Sequence, residues 1–125
     1  MTYRTGRKHF EWLAEQALKS LPEAFRKRFE NMAISVEDTP SEEDLRAIGI
    51  SHYDLLGIFR GAGYANRGGF FDLPSPLPDE IVLFQKNIEN ICTTEKELIE
   101  EIRLTLIHEV GHYFGMSEED LDQYA

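Results

Sequence analysis

Residues 95 to 114 contain no proline and a single glycine, Gly111, and on a helical wheel Leu98, Ile99, Ile102, Leu106, Val110, Tyr113 and Phe114 fall in one apolar sector. A run of this length spans roughly 30 Å as one α-helix. It also has a start signal, because Thr94 followed by Glu97 reads as a capping box, with the hydroxyl available to an orphan N–H and the carboxylate reaching back. His108 and His112 fall on the other side of the wheel, with Glu109 at the border and close to His112. A helix that buries one face and presents two imidazoles on the other dictates how the rest of the chain is arranged.

The segment His108-Glu109-Val110-Gly111-His112-Tyr113-Phe114-Gly115 places its imidazoles at i and i+4, one turn apart, where both rings can converge on one cation. Glu109 stands next to that face, where a carboxylate can reach a metal-bound water, the layout of a zinc hydrolase site. The competing reading is two surface histidines. Gly115 predicts a chain reversal at the helix end, since glycine tolerates the left-handed conformation needed there. Three residues further on, Glu118 is the first choice for a third protein ligand, with Glu119, Asp120 and Asp122 as substitutes. Residues 117 to 120 also read as the start of a last short helix, capped by Ser117, with acids favouring its N-terminal dipole. The two readings are compatible.

With 125 residues and 42% hydrophobic content, one domain with a modest core is expected over residues 1–125. The basic N-terminus leads into the amphipathic stretch from Glu11 to Lys19, so no apolar signal core is expected, and no run is long enough to cross a membrane. The single Cys92 excludes an intramolecular disulfide and fits a reducing compartment, so a cytoplasmic location is expected. It reads as a small buried residue, not as a zinc thiolate. A formal charge of −10, with 23 acids against 13 bases, argues against nucleic acid as a partner.

Elsewhere the elements are short. Phe10, Leu13, Ala14, Ala17 and Leu18 recur at helical spacing, and Ser20-Leu21-Pro22-Glu23 reads as the capped start of a second helix running to about Phe29. Trp12, Phe25 and Phe29 are expected in the core. Residues 32 to 36 alternate as a half-buried strand, and Thr39-Pro40-Ser41-Glu42 predicts a short helix ended by Gly49. Leu55 to Phe59 reads as a strand whose Gly57 marks a bulge or a close backbone approach. Gly61 to Pro78, rich in glycine and proline around Tyr64, Phe70 and Phe71, reads as an exposed loop, and Ile81 to Phe84 as a third strand. The sum is an α+β fold: a small, about three-stranded sheet packed on helices, with a long motif-bearing helix followed by a short C-terminal one.

With these elements in place the chain resembles the small bacterial zincin-like family of metallopeptidases, the minimal zincins. The residues that carry the resemblance run from Phe10 to Leu121. They include Leu21-Pro22-Glu23 with Phe25, Val36-Glu37-Asp38, Leu56 to Gly61, Leu77 to Ile81 leading into Leu83-Phe84, and His108 to Leu121. The resemblance implies a zincin-like fold in which His108 and His112 bind zinc, Glu109 is the general base and the acid at 118 is the third ligand. The broader metzincin pattern usually has histidine or aspartate at that position, where this chain has Glu118, and the separate downstream methionine turn of that pattern is absent.

The expected activity is zinc-dependent peptide hydrolysis. Two imidazoles and a carboxylate leave a fourth position for water, whose pKa zinc lowers to about 7, and Glu109 takes its proton and delivers it to the leaving amine. A peptide or protein substrate is expected to add as a strand to a sheet edge such as Leu55 to Phe59. Neither nucleic acid nor membrane is expected as a partner. The alternative is a non-catalytic metal-binding or interaction module on the same scaffold. His9 and His52 lie outside any ligand spacing, and Tyr53, Tyr64, Arg60 and Arg67 are eligible as electrophilic helpers by chemistry alone.

Overall fold

The computed structural model describes residues 2–30, 32–48, 55–60, 79–113 and 115–123, without the side chains at 47, 48, 79, 112, 113 and 118. In chain order its elements are α1 (Arg7–Lys19), α2 (Glu23–Arg26) continued by a 3-10 turn (Lys27–Phe29), β1 (Met32–Glu37), α3 (Glu42–Ile48), β2 (Gly57–Arg60), β3 (Asp79–Phe84), α4 (Gln85–Asn90), α5 (Glu95–Tyr113) and α6 (Glu118–Asp122). The three strands form one mixed sheet in the order β1-β3-β2. β1 runs parallel to β3, with Ile34 opposite Ile81, and β2 runs antiparallel to it, with Phe59 opposite Ile81. The expected α+β architecture with its small sheet, long helix and short terminal helix is present.

Side-chain alternation along β3 splits the interior in two. Ile81 and Leu83 face the main core with Phe10, Leu13, Ala14 and Ala17 of α1 and Leu98, Ile102, Leu106, Ile107 and Val110 of α5. Those five α5 side chains are fully buried, each contributing roughly 1.5–3 kcal/mol of transfer free energy before chain entropy is counted. Ile107 lies outside the expected apolar sector yet is as buried as Leu106, because α5 is covered by α1, β2, β3, α4 and α6 together. On the opposite sheet face Val82 and Phe84 pack with Leu55, Ile58 and Leu45 of α3.

The Glu97 N–H donates to Thr94 Oγ1 at 3.1 Å, as a cap should, but the Glu97 carboxylate accepts from the backbone and hydroxyl of Thr93 and not from Thr94. Ser20 does not cap α2. It ends α1, donating its hydroxyl to the Ala17 carbonyl, while Pro22 occupies the N-cap position of α2. The α3 cap lies two residues later than expected: Ser41 Oγ accepts from the Asp44 N–H and Asp44 accepts from the Ser41 N–H. Trp12 is also misplaced by the sequence reading, since it is 51% exposed and stacks on His9 outside the core. Phe25 and Phe29 are buried as expected.

Helix α4 has no counterpart in the sequence-based element order. Its buried residues are mostly polar: Gln85, Asn87 and Glu89 stand beside Ile88. Glu89 accepts from the Thr5 N–H, Gln85 accepts from Arg7 and donates to the Thr5 carbonyl, and Asn87 donates to the Leu55 carbonyl at 2.8 Å. These bonds compensate the burial of three polar side chains and fasten the N-terminal segment and the entry to β2 onto one helix. The expected end of α3 at Gly49 and the loop from Gly61 to Pro78 lie outside the described residues. No described helix is long and apolar enough to cross a membrane.

Candidate functional site

The motif helix meets the sheet through an exceptionally close contact. A Cβ at Gly57 would stand 2.7 Å from Thr105 Cγ2 of α5 and 3.1 Å from the Val82 carbonyl oxygen, so only glycine lets β2 lie against this turn of α5 while staying paired with β3. Of the two readings offered by Gly57, close approach is the one realised. Just past the contact, Leu55, Leu56, Gly57, Glu101, Leu104, Thr105, His108 and Glu109 line an open cavity of about 310 Å³. Its walls are thus the start of an edge strand, among the described strands, and the His108 side of α5.

His108 is half-buried, and its Nδ1 lies 2.9 Å from the Leu104 carbonyl one turn back. A carbonyl can only accept, so Nδ1 carries the proton and, in the neutral ring, the lone pair resides on Nε2. This is the tautomer a metal-ligating imidazole adopts when backbone orients it. Glu109 is half-buried and borders the same cavity. His112 lies on α5 one turn beyond His108, and its side chain is outside the described residues.

Beyond α5 the chain reverses as the glycine predicts. Gly115 takes φ +74°, and the Met116 N–H returns to the Gly111 carbonyl at 2.8 Å, the six-to-one bond that closes a Schellman end. Ser117 then caps α6 in a full capping box with Asp120. Glu118 is the first residue of α6, and its side chain is likewise outside the described residues. The short helix is pressed onto α5 through Leu121, which is 1% exposed. A Cβ on Gly111 would lie 2.1 Å from Leu121 Cδ2, so the glycine inside the His108 to His112 turn is what admits α6 to this position. The backbone therefore folds α6, which begins at Glu118, back onto the helix that carries both histidines.

Other candidates separate from the site. His9 sits 3.5 Å from Glu95 in the first turn of α5, roughly 20 Å along the axis from His108, and does not join it. Cys92 is fully buried, and burial together with the charges of Glu101, Glu97 and Glu89 pushes its thiol up to about 11, so it is a protonated packing residue. Arg60 is no electrophilic helper. It shares the sheet face of Ile58, away from α5, and donates to Glu37 at 2.7 Å and to Asp44 at 2.6 Å. Those bonds raise its already high pKa. Burial pushes the Asp44 carboxyl up, but hydrogen bonds from Arg60 and from Ser41 outweigh it and hold the group below the usual carboxylate range. His52, Tyr53, Tyr64 and Arg67 lie outside the described residues. Sequence reasoning missed Glu101 as a cavity residue, although its position one heptad before His108 was a sufficient signal.

A family model described as zincin-like metallopeptidase matches residues 29–125. The chain belongs to the zincin-like metallopeptidase family. The match begins at Phe29, so α1 and α2 lie outside it even though α1 supplies a large share of the core around α5. No curated protein matches the chain.

Proposed function

We propose that the chain is a zinc-dependent peptidase in which His108, His112 and Glu118 hold the metal and Glu109 is the general base. The observation that carries this reading is the shared cavity: His108 and Glu109 both border it, and its other wall is the entry to β2, an edge strand among the described strands. The donor set suits zinc, since two imidazoles and one carboxylate match its preferences, and the Leu104 carbonyl on Nδ1 leaves the ring nitrogen Nε2 as the ligating atom. When bound, zinc supplies Lewis-acid polarisation of a substrate carbonyl and acidifies water to a pKa near 7.

The remaining work falls to protein groups. Glu109 takes the proton of the attacking water and delivers it to the leaving amine, a role that contributes about 10²–10⁴-fold in rate. Among the described strands β2 pairs only with β3, and its other edge would offer backbone hydrogen-bonding groups to an extended substrate added as a strand beside α5. Leu56 and Leu104 provide aliphatic surface beside the bond being cleaved. Asn87, by holding the Leu55 carbonyl, keeps the strand entry in place.

The test is turnover of a peptide library by zinc-loaded and zinc-stripped protein, with His112→Ala as control. Cleavage that depends on zinc, and loss of stoichiometric metal in His112→Ala, are expected. Full zinc retention by that variant would refute the ligand assignment, and zinc binding without any cleavage would identify a non-catalytic module instead.

A further inference from the structure

We infer that Glu101 makes the cavity selective for substrates bearing a lysine or arginine side chain close to the scissile bond, an inference that rests on the peptidase reading above. Four observations converge on this residue. Glu101 lines the cavity shared by His108 and Glu109 and is half-buried there. Its carboxylate has no hydrogen-bond or ion-pair partner among the described residues, and its backbone carbonyl is taken by Thr105.

The other α5 acids are all engaged: Glu95 with Tyr3 and His9, Glu97 with Thr93, Glu100 with Arg103, and Glu109 with a further interaction of its own. A solvated helix face would leave several acids unpartnered at random positions. Here the unpartnered one is the one that faces the cavity. The third observation is the wall composition, since the half-buried Leu56 and Leu104 suit the aliphatic stem of a long cationic side chain whose head reaches a carboxylate. The fourth is the formal charge of −10, which draws cationic peptides toward the protein.

The geometry limits where the selected residue sits. Glu101 precedes His108 by two helical turns on the same side of α5, about 10 Å along the axis. An extended peptide advances about 3.3 Å per residue, so the selected side chain belongs to one of the three residues nearest the scissile bond on one side. Leu104 lies between the two positions and would contact the stem.

The experiment compares zinc-loaded wild type, Glu101→Gln and Glu101→Lys on one peptide library, reading the residues around each cleavage site. Wild type is expected to favour Lys or Arg at one position by about five- to tenfold, Glu101→Gln to lose that preference, and Glu101→Lys to turn it toward Asp or Glu. A second reading uses fluorescence anisotropy on zinc-loaded Glu109→Gln, with two labelled peptides that differ only by lysine against norleucine. The lysine peptide should bind about five- to tenfold tighter, and adding Glu101→Gln should equalise the two. Cleavage with no basic preference, or a preference unchanged by Glu101→Lys, overturns the inference and leaves the peptidase reading standing. Lysine discrimination that depends on Glu101, in a protein that cleaves nothing, supports the subsite and removes the peptidase reading. Equal affinities in the anisotropy pair overturn the subsite whatever the cleavage result.

Discussion

Gly111→Ala tests how the terminal helix is held beside the histidines. In an ordinary helix interior this change is stabilising by about 1 kcal/mol, because alanine restricts the unfolded chain and favours helix. Here the new methyl would stand 2.1 Å from Leu121 Cδ2, 2.9 Å from Cδ1 and 3.0 Å from Cγ, and Leu121 is 1% exposed, so its side chain has nowhere to swing. Overpacking of this kind costs roughly 1–3 kcal/mol, which outweighs or cancels the helical gain and leaves a net loss of about 0–2 kcal/mol. Leu121→Ala removes the obstacle. In that background Gly111→Ala should be stabilising by about 1 kcal/mol, so the two substitutions couple by roughly 1–3 kcal/mol in a double-mutant cycle measured by urea unfolding. Zinc affinity of Gly111→Ala should fall as well, because displacement of α6 moves residue 118 away from α5. Stabilisation by about 1 kcal/mol in both backgrounds, with no coupling, would refute the claim that Gly111 admits α6.

Further outcomes follow from other contacts. Arg60→Met should destabilise by about 1–3 kcal/mol at pH 7 by stripping Glu37 and Asp44 of their cation. Because Asp44 is held below its ordinary value, its contribution is fully present above the unfolded pKa near 4 and is lost as pH falls through the folded value, so the wild-type advantage should shrink below about pH 4. Asn87→Ala should cost about 1–3 kcal/mol by leaving the buried Leu55 carbonyl without its donor, read as a lowered urea midpoint, and an unchanged midpoint would show that water replaces the amide. Glu118→Ala should weaken zinc binding by at least tenfold in competition with a chelator, whereas retention of wild-type affinity would move the third ligand to another acid.

Much of the site's scaffold was legible because its signals are local. Thr94, Glu97, Gly115 and Ser117 mark their own helix ends through bonds spanning a few residues, and the apolar period of α5 separates His108 from the core. What escaped depends on contacts distant in sequence. Helix α4 buries Gln85, Asn87 and Glu89, so it shows no apolar period, and the partners that make those side chains tolerable come from Thr5, Arg7 and Leu55. The α3 start was shifted because Thr39 with Glu42 and Ser41 with Asp44 fit one pattern equally. The second is realised, with Asp44 also bound by Arg60 of a later strand. Trp12 misled by its size, since it lies off the stripe formed by Phe10, Leu13, Ala14 and Ala17. The role of Gly111 could not be read before Leu121 was placed against it.

Glu109→Gln, with zinc content and peptide turnover measured on the same preparations, separates metal binding from proton transfer. Glutamine keeps the size and polarity of glutamate but cannot accept the proton, so wild-type zinc content with turnover lowered by about 10²–10⁴-fold is the expected result. Equal zinc and equal turnover would contradict the assignment of Glu109 as the base.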